Sequence, residues 1–281
     1  MFFKIKYSIF VLLIKLGTSL NFFKHLLNNL RKLFIIFWPK YFLGNSFKYQ
    51  RIYHFHIQKT AGTSLNSAFY HASGINFEEE ILKQFSNIFT RSIRINDKIF
   101  SDHNISIINK GAYFYSWSHY PFEDIEVDSD TFTFTSIRDP QSRLISYYNF
   151  LTDIKNNHFL SKYKHMNHLL NHYEDDFETF LHKLPDKNRY AQLYMFSKDL
   201  NFEKAKENIK KVNFIIINEN FEYFVNEVSK QFNLHLEIQK KNVSENKLDN
   251  SINLKNYLEK EYDFYNYVLN HLELKSGTII D

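Results

Sequence analysis

The chain has 281 residues, enough for one large α/β domain or two smaller ones with a full core. Its 30 Phe and 19 Tyr supply that core, and the lack of cysteine excludes disulfides and thiolate-bound metal. The net charge of +4 hides a split, because residues 1–77 hold ten Lys or Arg and no acid, while the remainder carries a net −6. Such a split predicts that the N-terminal part meets an anionic ligand or surface. The basic residues there are interleaved with apolar ones and not spread as a patch, which argues against nucleic acid as a partner.

Ser8 to Ile14 is apolar, but Lys15 interrupts it and Gly17, Thr18 and Ser19 follow. That run is too short for a spanning helix of about 20 apolar residues, and no small-residue cleavage pattern follows. Leu26 to Trp38 is again apolar, with Asn28, Asn29, Arg31 and Lys32 inserted. A basic, aromatic, acid-free segment fits helices lying on an anionic membrane surface through residues 1–45. It fits equally well a pair of helices packed on the following domain. Pro39 and Gly44-Asn45 mark a boundary, dividing the chain into a segment 1–48 and a domain 49–281. The expected location is membrane-associated or cytoplasmic.

Arg51 to Ile57 reads as a buried strand, with Tyr53, Phe55 and Ile57 at alternate positions. Leu65 to Tyr70 lacks Gly and Pro and continues as a helix. Between them lies His56-Ile57-Gln58-Lys59-Thr60-Ala61-Gly62-Thr63-Ser64. A strand that turns into a helix aims free backbone N–H groups, and the positive end of the helix dipole, at the turn's occupant. Gly62 permits close approach, Thr60, Thr63 and Ser64 add hydroxyls, and Lys59 adds a charge. The combination is a cradle for phosphate or sulfate. It is not the nucleoside-triphosphate loop, since Lys59 precedes the only glycine and position 54 is His. Arg51 and Lys59 are together expected to serve the anionic ligand.

Residues 78–95 have an amphipathic helical pattern, and Asp97 to Lys110 is polar with Asn-rich turns. Gly111 to Trp117 is strand-like and delivers Ser118-His119-Tyr120-Pro121-Phe122. His119, at a strand end before Pro121, suits either a catalytic or a structural role. Thr131 to Ile137 alternates strictly and runs into Arg138-Asp139-Pro140. Asp139 as N-cap with Pro140 at the first helical position predicts a helix start. Arg138 then stands at the carboxyl end of a strand, where open α/β sheets bind ligands. Arg143, Ser146 and Tyr147 share a helix face, and Arg143 suits a structural ion pair as well as a ligand contact. Val212 to Asn218 reads as a third strand, Glu219-Asn220-Phe221 opens a helix to Phe232, and a helix over 254–274 closes the chain. The three strand–loop–helix units at 51–70, 131–153 and 212–232 predict an α/β fold, a parallel sheet with helices on both faces.

The run Lys59-Thr60-Ala61-Gly62-Thr63-Ser64 and the pattern Arg-Asp-Pro-x-x-Arg-x-x-Ser-x-Tyr at 138–148 resemble sulfotransferases that use PAPS (3′-phosphoadenosine 5′-phosphosulfate). The nearest likeness is to the Golgi-type carbohydrate group that includes heparan sulfate 6-O-sulfotransferases, where His-Ile-x-Lys-Thr-x-Gly-Thr is typical. The resemblance implies a P-loop-like nucleotide-binding sheet and transfer of a sulfuryl group to a hydroxyl of a carbohydrate or glycolipid acceptor. It implies that Lys59, Thr60, Ala61, Gly62, Thr63 and Ser64 hold the 5′-phosphosulfate, and that Arg138 and Ser146 contact the 3′-phosphate. It places His119 near the acceptor as base, with Lys59 on the leaving 5′-phosphate and no metal required. Ser118 stands where Gly is common, and Ala191 and Gln192 replace the Thr and Arg of a family segment Asn-x-x-Thr-Arg-x-Leu. Asn242-Val243-Ser244 resembles a loop near the cofactor. Two alternatives are a nucleotide-dependent kinase, disfavoured by the lysine order and the lack of a metal-binding Asp, and a non-catalytic membrane-associated nucleotide binder.

Overall fold

The computed structural model describes residues 40–44, 46–74, 76–77, 91–95, 98–157, 166–217, 221–237 and 253–272. The expectations for residues 1–39, for a helix over 78–90 and for Asn242-Val243-Ser244 lie outside these. Among the described residues no helix is long and apolar enough to cross a membrane.

Strand β1 (Arg51–Phe55) is buried along its whole length. It pairs in parallel with β4 (Tyr115–Ser118) on one side and β5 (Thr131–Ser136) on the other. Beyond β4 lie β3 (Lys98–Asp102), parallel, and the antiparallel edge strand β2 (Ser92–Ile95). Beyond β5 lies β6 (Phe214–Ile216), also parallel. The order is β2-β3-β4-β1-β5-β6. The chain fills one side of β1 before it crosses to β5, so the strand order reverses at β1. Open α/β sheets form their ligand crevice at such a switch, outside the carboxyl ends of the strands. The register sets Phe55 level with Ser118 and Thr135, which brings three strand ends to one rim.

Alternation along β1 explains the two cores, since successive side chains leave a strand on opposite faces. Ile52 faces a cluster with Leu65 and Phe69 of α1 (Gly62–His71) and with Phe224, Val228 and Phe232 of α8 (Phe221–Phe232). Tyr53 and Phe55 face the other cluster. There Ile107 of α2 (Ile105–Lys110) meets Leu193 and Phe196 of α6 (Ala191–Phe196), Ile209 of α7 (Phe202–Ile209), and Phe264 of α9 (Glu259–Leu272). A third cluster joins α3 (Pro140–Asn156) to α4 (Phe177–Lys183) and to Leu254 and Leu258. A short helix, α5 (Asp186–Arg189), precedes α6.

Five expectations need correction. Ser92 to Ile95 is a strand and not the end of a helix, and the polar stretch after it holds β3 and α2. The third core strand is confined to Phe214–Ile216, and the closing helix begins at Glu259. Arg51 does not reach the crevice. It sits at the amino end of β1, where Nη2 lies 2.5 Å from Asp128 Oδ1, Nη1 donates to Tyr41 O at 2.8 Å and Nε to Thr131 Oγ1 at 3.2 Å. With its side chain 1% exposed, it is a buried charge that needs those partners.

Candidate active site

The β1–α1 loop turns through two left-handed residues that are not glycine, Lys59 at φ 68° and Ala61 at φ 69°. Such conformations are strained for L-residues and concentrate at ligand sites. Here they turn the backbone so that the amides of Ala61, Gly62 and Thr63 find no backbone carbonyl among the described residues. These are orphan donors of a helix start, and they form the positive end of its dipole. Gly62 is required by proximity and not by its dihedral angle. A Cβ there would stand 2.0 Å from His56 Cδ2 and 2.1 Å from His56 Nε2, so the imidazole lies directly on the first turn of α1. The Thr60 hydroxyl is turned inward, donating to Ile57 O at 2.9 Å and lying 2.9 Å from Ser136 Oγ. That corrects the expectation for this hydroxyl, and leaves the Thr60 amide as its means of meeting an anion. Ser64 is buried and its amide donates to Ala61 O at 3.0 Å, while Thr63 is half-buried.

The β5–α3 junction is held differently. Asp139 Oδ1 accepts from Ser142 N–H at 2.8 Å, capping α3 as its sequence predicts, with Pro140 in the first turn. Gln192 clamps Arg138 from both sides: its Oε1 accepts from Arg138 N–H at 2.8 Å, and its Nε2 donates to Arg138 O at 3.0 Å. With the backbone so fixed, the guanidinium reaches the β1–α1 loop, where Nη1 donates to Lys59 O at 3.3 Å. Lys59 Nζ rests 4.3 Å over the Phe150 ring, and burial with the nearby Arg138 charge pulls its pKa down to about 8. Asp153 offsets part of this for Lys59 and Asp139 acts likewise on Arg138, but the Arg138 charge weighs more on Lys59 than Asp153 does, so the two cations favour an anion beside them. Ser146 is half-buried in the second turn of α3.

Arg143 resolves to a structural role. Its side chain is 1% exposed, Nη2 donates to the carbonyls of Asn188 at 3.1 Å and Arg189 at 2.6 Å, and Nε lies 3.4 Å from Glu261 Oε1. Burial raises the Glu261 carboxyl, while Arg143 opposes the rise. Glu261 also accepts the amides of Gln192 at 2.9 Å and Leu193 at 3.1 Å. A buried chain Arg143–Glu261–Gln192 thus positions Arg138.

At the end of β4, four imidazoles gather. Ring centroids of His56 and His119 are 4.5 Å apart, those of His103 and His119 5.1 Å, and those of His54 and His56 5.0 Å. His119 Nδ1 lies 2.5 Å from the carbonyl oxygen of His56, which can only accept. The Nδ1 therefore carries the proton and Nε2 keeps its lone pair, the tautomer a general base needs. Burial lowers the His119 pKa from its ordinary value, and the bond to the His56 carbonyl opposes that. Ser118 supports the loop in place of glycine, its Oγ lying 2.6 Å from Tyr53 OH and accepting from Tyr120 N–H at 3.1 Å. His54 and His56 are buried, as their place in and beside the strand predicts. Burial pushes His54 down to about 3 and His56 well below its usual value.

The family model described as the sulfotransferase family matches residues 47–267, a span that includes both junctions and His119. The chain belongs to the sulfotransferase family. No curated protein matches it. A sulfotransferase has to hold a donor's charged end, release it, and take a proton from the acceptor. Among the described residues of this sulfotransferase, no three His, Cys, Asp or Glu residues are grouped to hold a metal ion. Asn66 and Gln192 escaped the sequence reading. Gln192 stood at a noted departure, but nothing local pointed to Arg138.

Proposed function

We propose that this sulfotransferase takes its sulfuryl group from PAPS and delivers it to a hydroxyl of a carbohydrate-type acceptor, with His119 as base. The observation that carries this reading is the contact between the two junctions, Arg138 Nη1 on Lys59 O at 3.3 Å, which joins two anion-binding corners across the switch point. A donor with phosphate at both its 3′ and 5′ positions suits two such corners, as a single anion would not. Bound PAPS supplies a sulfur already activated by a phosphate leaving group. The amides of Ala61, Gly62 and Thr63 with Lys59 take up charge developing on the 5′-phosphate, a form of electrostatic stabilisation that preorganised donors provide. Arg138 and Ser146 hold the 3′-phosphate, the guanidinium fork suiting phosphate geometry. His119 Nε2 accepts the acceptor's hydroxyl proton as the new oxygen–sulfur bond forms and the sulfur–oxygen bond to the 5′-phosphate breaks.

The likeness of His56-Ile57-Gln58-Lys59-Thr60 to the Golgi-type group supports a sugar hydroxyl as acceptor, carried on a glycan or glycolipid. A glycolipid acceptor would also suit a basic segment 1–45 resting on an anionic membrane, which flotation with anionic liposomes tests. The deciding experiment is transfer of labelled sulfate from PAPS to a panel of glycans and glycolipids, beside calorimetry with 3′,5′-adenosine bisphosphate and AMP. Transfer, with the bisphosphate bound far more tightly than AMP, is expected. Equal affinity for the two nucleotides would overturn the assignment of Arg138. Tight bisphosphate binding without turnover on any acceptor would favour a non-catalytic nucleotide binder.

A further inference from the structure

The proton position of His119 follows from its partner, and that of His56 follows from Asn66, one turn along α1 from Gly62. Asn66, 1% exposed on α1, lies at the centre of a buried network. Its Oδ1 accepts from Tyr115 OH at 2.6 Å and lies 2.8 Å from His54 Nδ1. An amide oxygen only accepts, so His54 carries its proton on Nδ1. The Asn66 Nδ2 is then left facing His56 Nδ1 at 3.4 Å. An amide nitrogen only donates, so His56 Nδ1 is the acceptor and its proton sits on Nε2. Reversing the amide would leave the Tyr115 hydroxyl only His54 Nδ1, at 3.5 Å, to donate to.

Hence the two neighbouring rings are wired oppositely. His119 presents a lone pair at Nε2 and His56 an N–H at Nε2. Among the described residues His54 Nε2 and His103 Nδ1 are fully buried and unpartnered, whereas neither Nε2 of His56 nor that of His119 is both. His56 Nε2 lies against Gly62 at the start of the cradle. Charge alone does not give it this role, because burial keeps the His56 ring neutral. Only the tautomer makes it a donor.

We infer that His56 is a hydrogen-bond donor to the sulfuryl group in transfer, and that Asn66 is the positioning residue that makes it one by fixing its tautomer. The inference rests on the sulfotransferase reading above. It divides the work of the paired rings, His119 taking a proton and His56 never releasing its own. A neutral donor aimed at oxygens that gain charge in the transition state acts on turnover more than on binding.

The first test needs no variant. Long-range proton–nitrogen NMR of the full chain, with His56→Gln assigning the signal, should show His56 protonated at Nε2 and His119 at Nδ1. A His56 protonated at Nδ1 would overturn the inference even in a chain that transfers sulfate from PAPS. Conversely, a chain inactive with PAPS but wired as described would sink the donor assignment and leave the wiring intact. In a second arm, inorganic sulfate titrated into the chain should shift the His56 Nε2–H resonance, and binding of sulfate that leaves this resonance unmoved would overturn the donor role. In a third, Gln at position 56 can present an N–H where Nε2 stood. Thus His56→Ala should lower kcat about 10²-fold, the scale of one lost oxyanion donor, with His56→Gln retaining most of it. Equal loss in both variants would mean a base and not a donor. Asn66→Asp should move the proton to Nδ1 and lower kcat with little change in KM, and unchanged kcat with a moved proton would refute the coupling.

Discussion

Two strand–helix junctions meet at the rim of the sheet, and they are built by opposite means. At β1–α1 the backbone is the working part. Two left-handed residues, a glycine pressed under an imidazole and the unpaired amides behind it form a surface of fixed dipoles. At β5–α3 the backbone is conventional, capped by Asp139 and started by Pro140. There the working part is one side chain, Arg138, whose own peptide groups are tied to Gln192. The first junction carries strain of about 1–2 kcal/mol at each left-handed residue, and the second carries none of that kind. On the proposed reading, strained but rigid dipoles face the bond that breaks, where geometry decides rate. A charge on a flexible stem grips the remote phosphate, where attraction suffices.

His119 belongs to neither junction, so it separates chemistry from binding most sharply. His119→Ala should lower turnover by about 10²–10⁴-fold, the usual share of a general base, while bisphosphate affinity measured by calorimetry stays within about twofold. Because burial lowers its pKa below the ordinary value of 6.5, it is already neutral at pH 7. The kcat/KM profile should therefore rise with pH through an apparent pKa under 6.5, and fall again only as Lys59 loses its charge near 8. A wild-type profile with no acid limb would remove histidine as the base.

Gly62→Ala tests the first junction. Its new Cβ would displace the His56 ring, costing about 1–3 kcal/mol as overpacking does, and should lower kcat about 10²-fold. The double variant with His56→Gly should recover the stability, read by denaturant unfolding, but not the turnover. If both recover, the ring is only a filler. Arg138→Ala tests the second junction and should cost about 1.5–3 kcal/mol in bisphosphate binding, the worth of a hydrogen bond to a charged group. The same variant should leave the affinity for AMP nearly unchanged. Raising the pH distinguishes the junctions without mutation. With Lys59 near 8, the first junction loses its charge between pH 7 and 9 while arginine keeps its own. Bisphosphate affinity should fall across that range, and in Lys59→Arg it should stay flat.

What could be read from the chain was local. The loop at 56–65, the cap at Asp139 and the strands at 51 and 131 announce themselves through residues adjacent in sequence, and the structure keeps them. The hairpin of β2 and β3 was missed because its strands are short and its stability comes from pairing Phe100 with Tyr115 across the sheet, not from a long periodic run. The sequence around Arg143 suits a ligand contact as well as an ion pair, and its partner Glu261 lies far along the chain. Arg51, expected with Lys59 to serve the anionic ligand, stands at the amino end of β1, and composition, which counts charge and does not place it, gives no sign of that. Asn66 gave no signal at all, since its role depends on two histidines, a tyrosine and the turn of one helix.

The smallest expected effect bears on the strain at the first junction. Ala61 holds φ 69°, a conformation in which glycine has no Cβ to clash. Replacing it with glycine relieves about 1–2 kcal/mol in the folded chain but loosens the unfolded chain by about 0.4–1 kcal/mol. The net should be stabilising by about 0.5–1 kcal/mol, or a rise of roughly 1–4 °C in Tm for a domain of this size. Ala72 ends the same helix at φ −59°, a right-handed position. Ala72→Gly should therefore be destabilising by about 0.5–1 kcal/mol, because glycine there gains nothing and still costs entropy. Opposite signs from one substitution at the two ends of one helix would locate the strain at the start of α1. If Ala61→Gly destabilises as Ala72→Gly does, the loop is relaxed, and the contrast between a strained junction and an unstrained one falls.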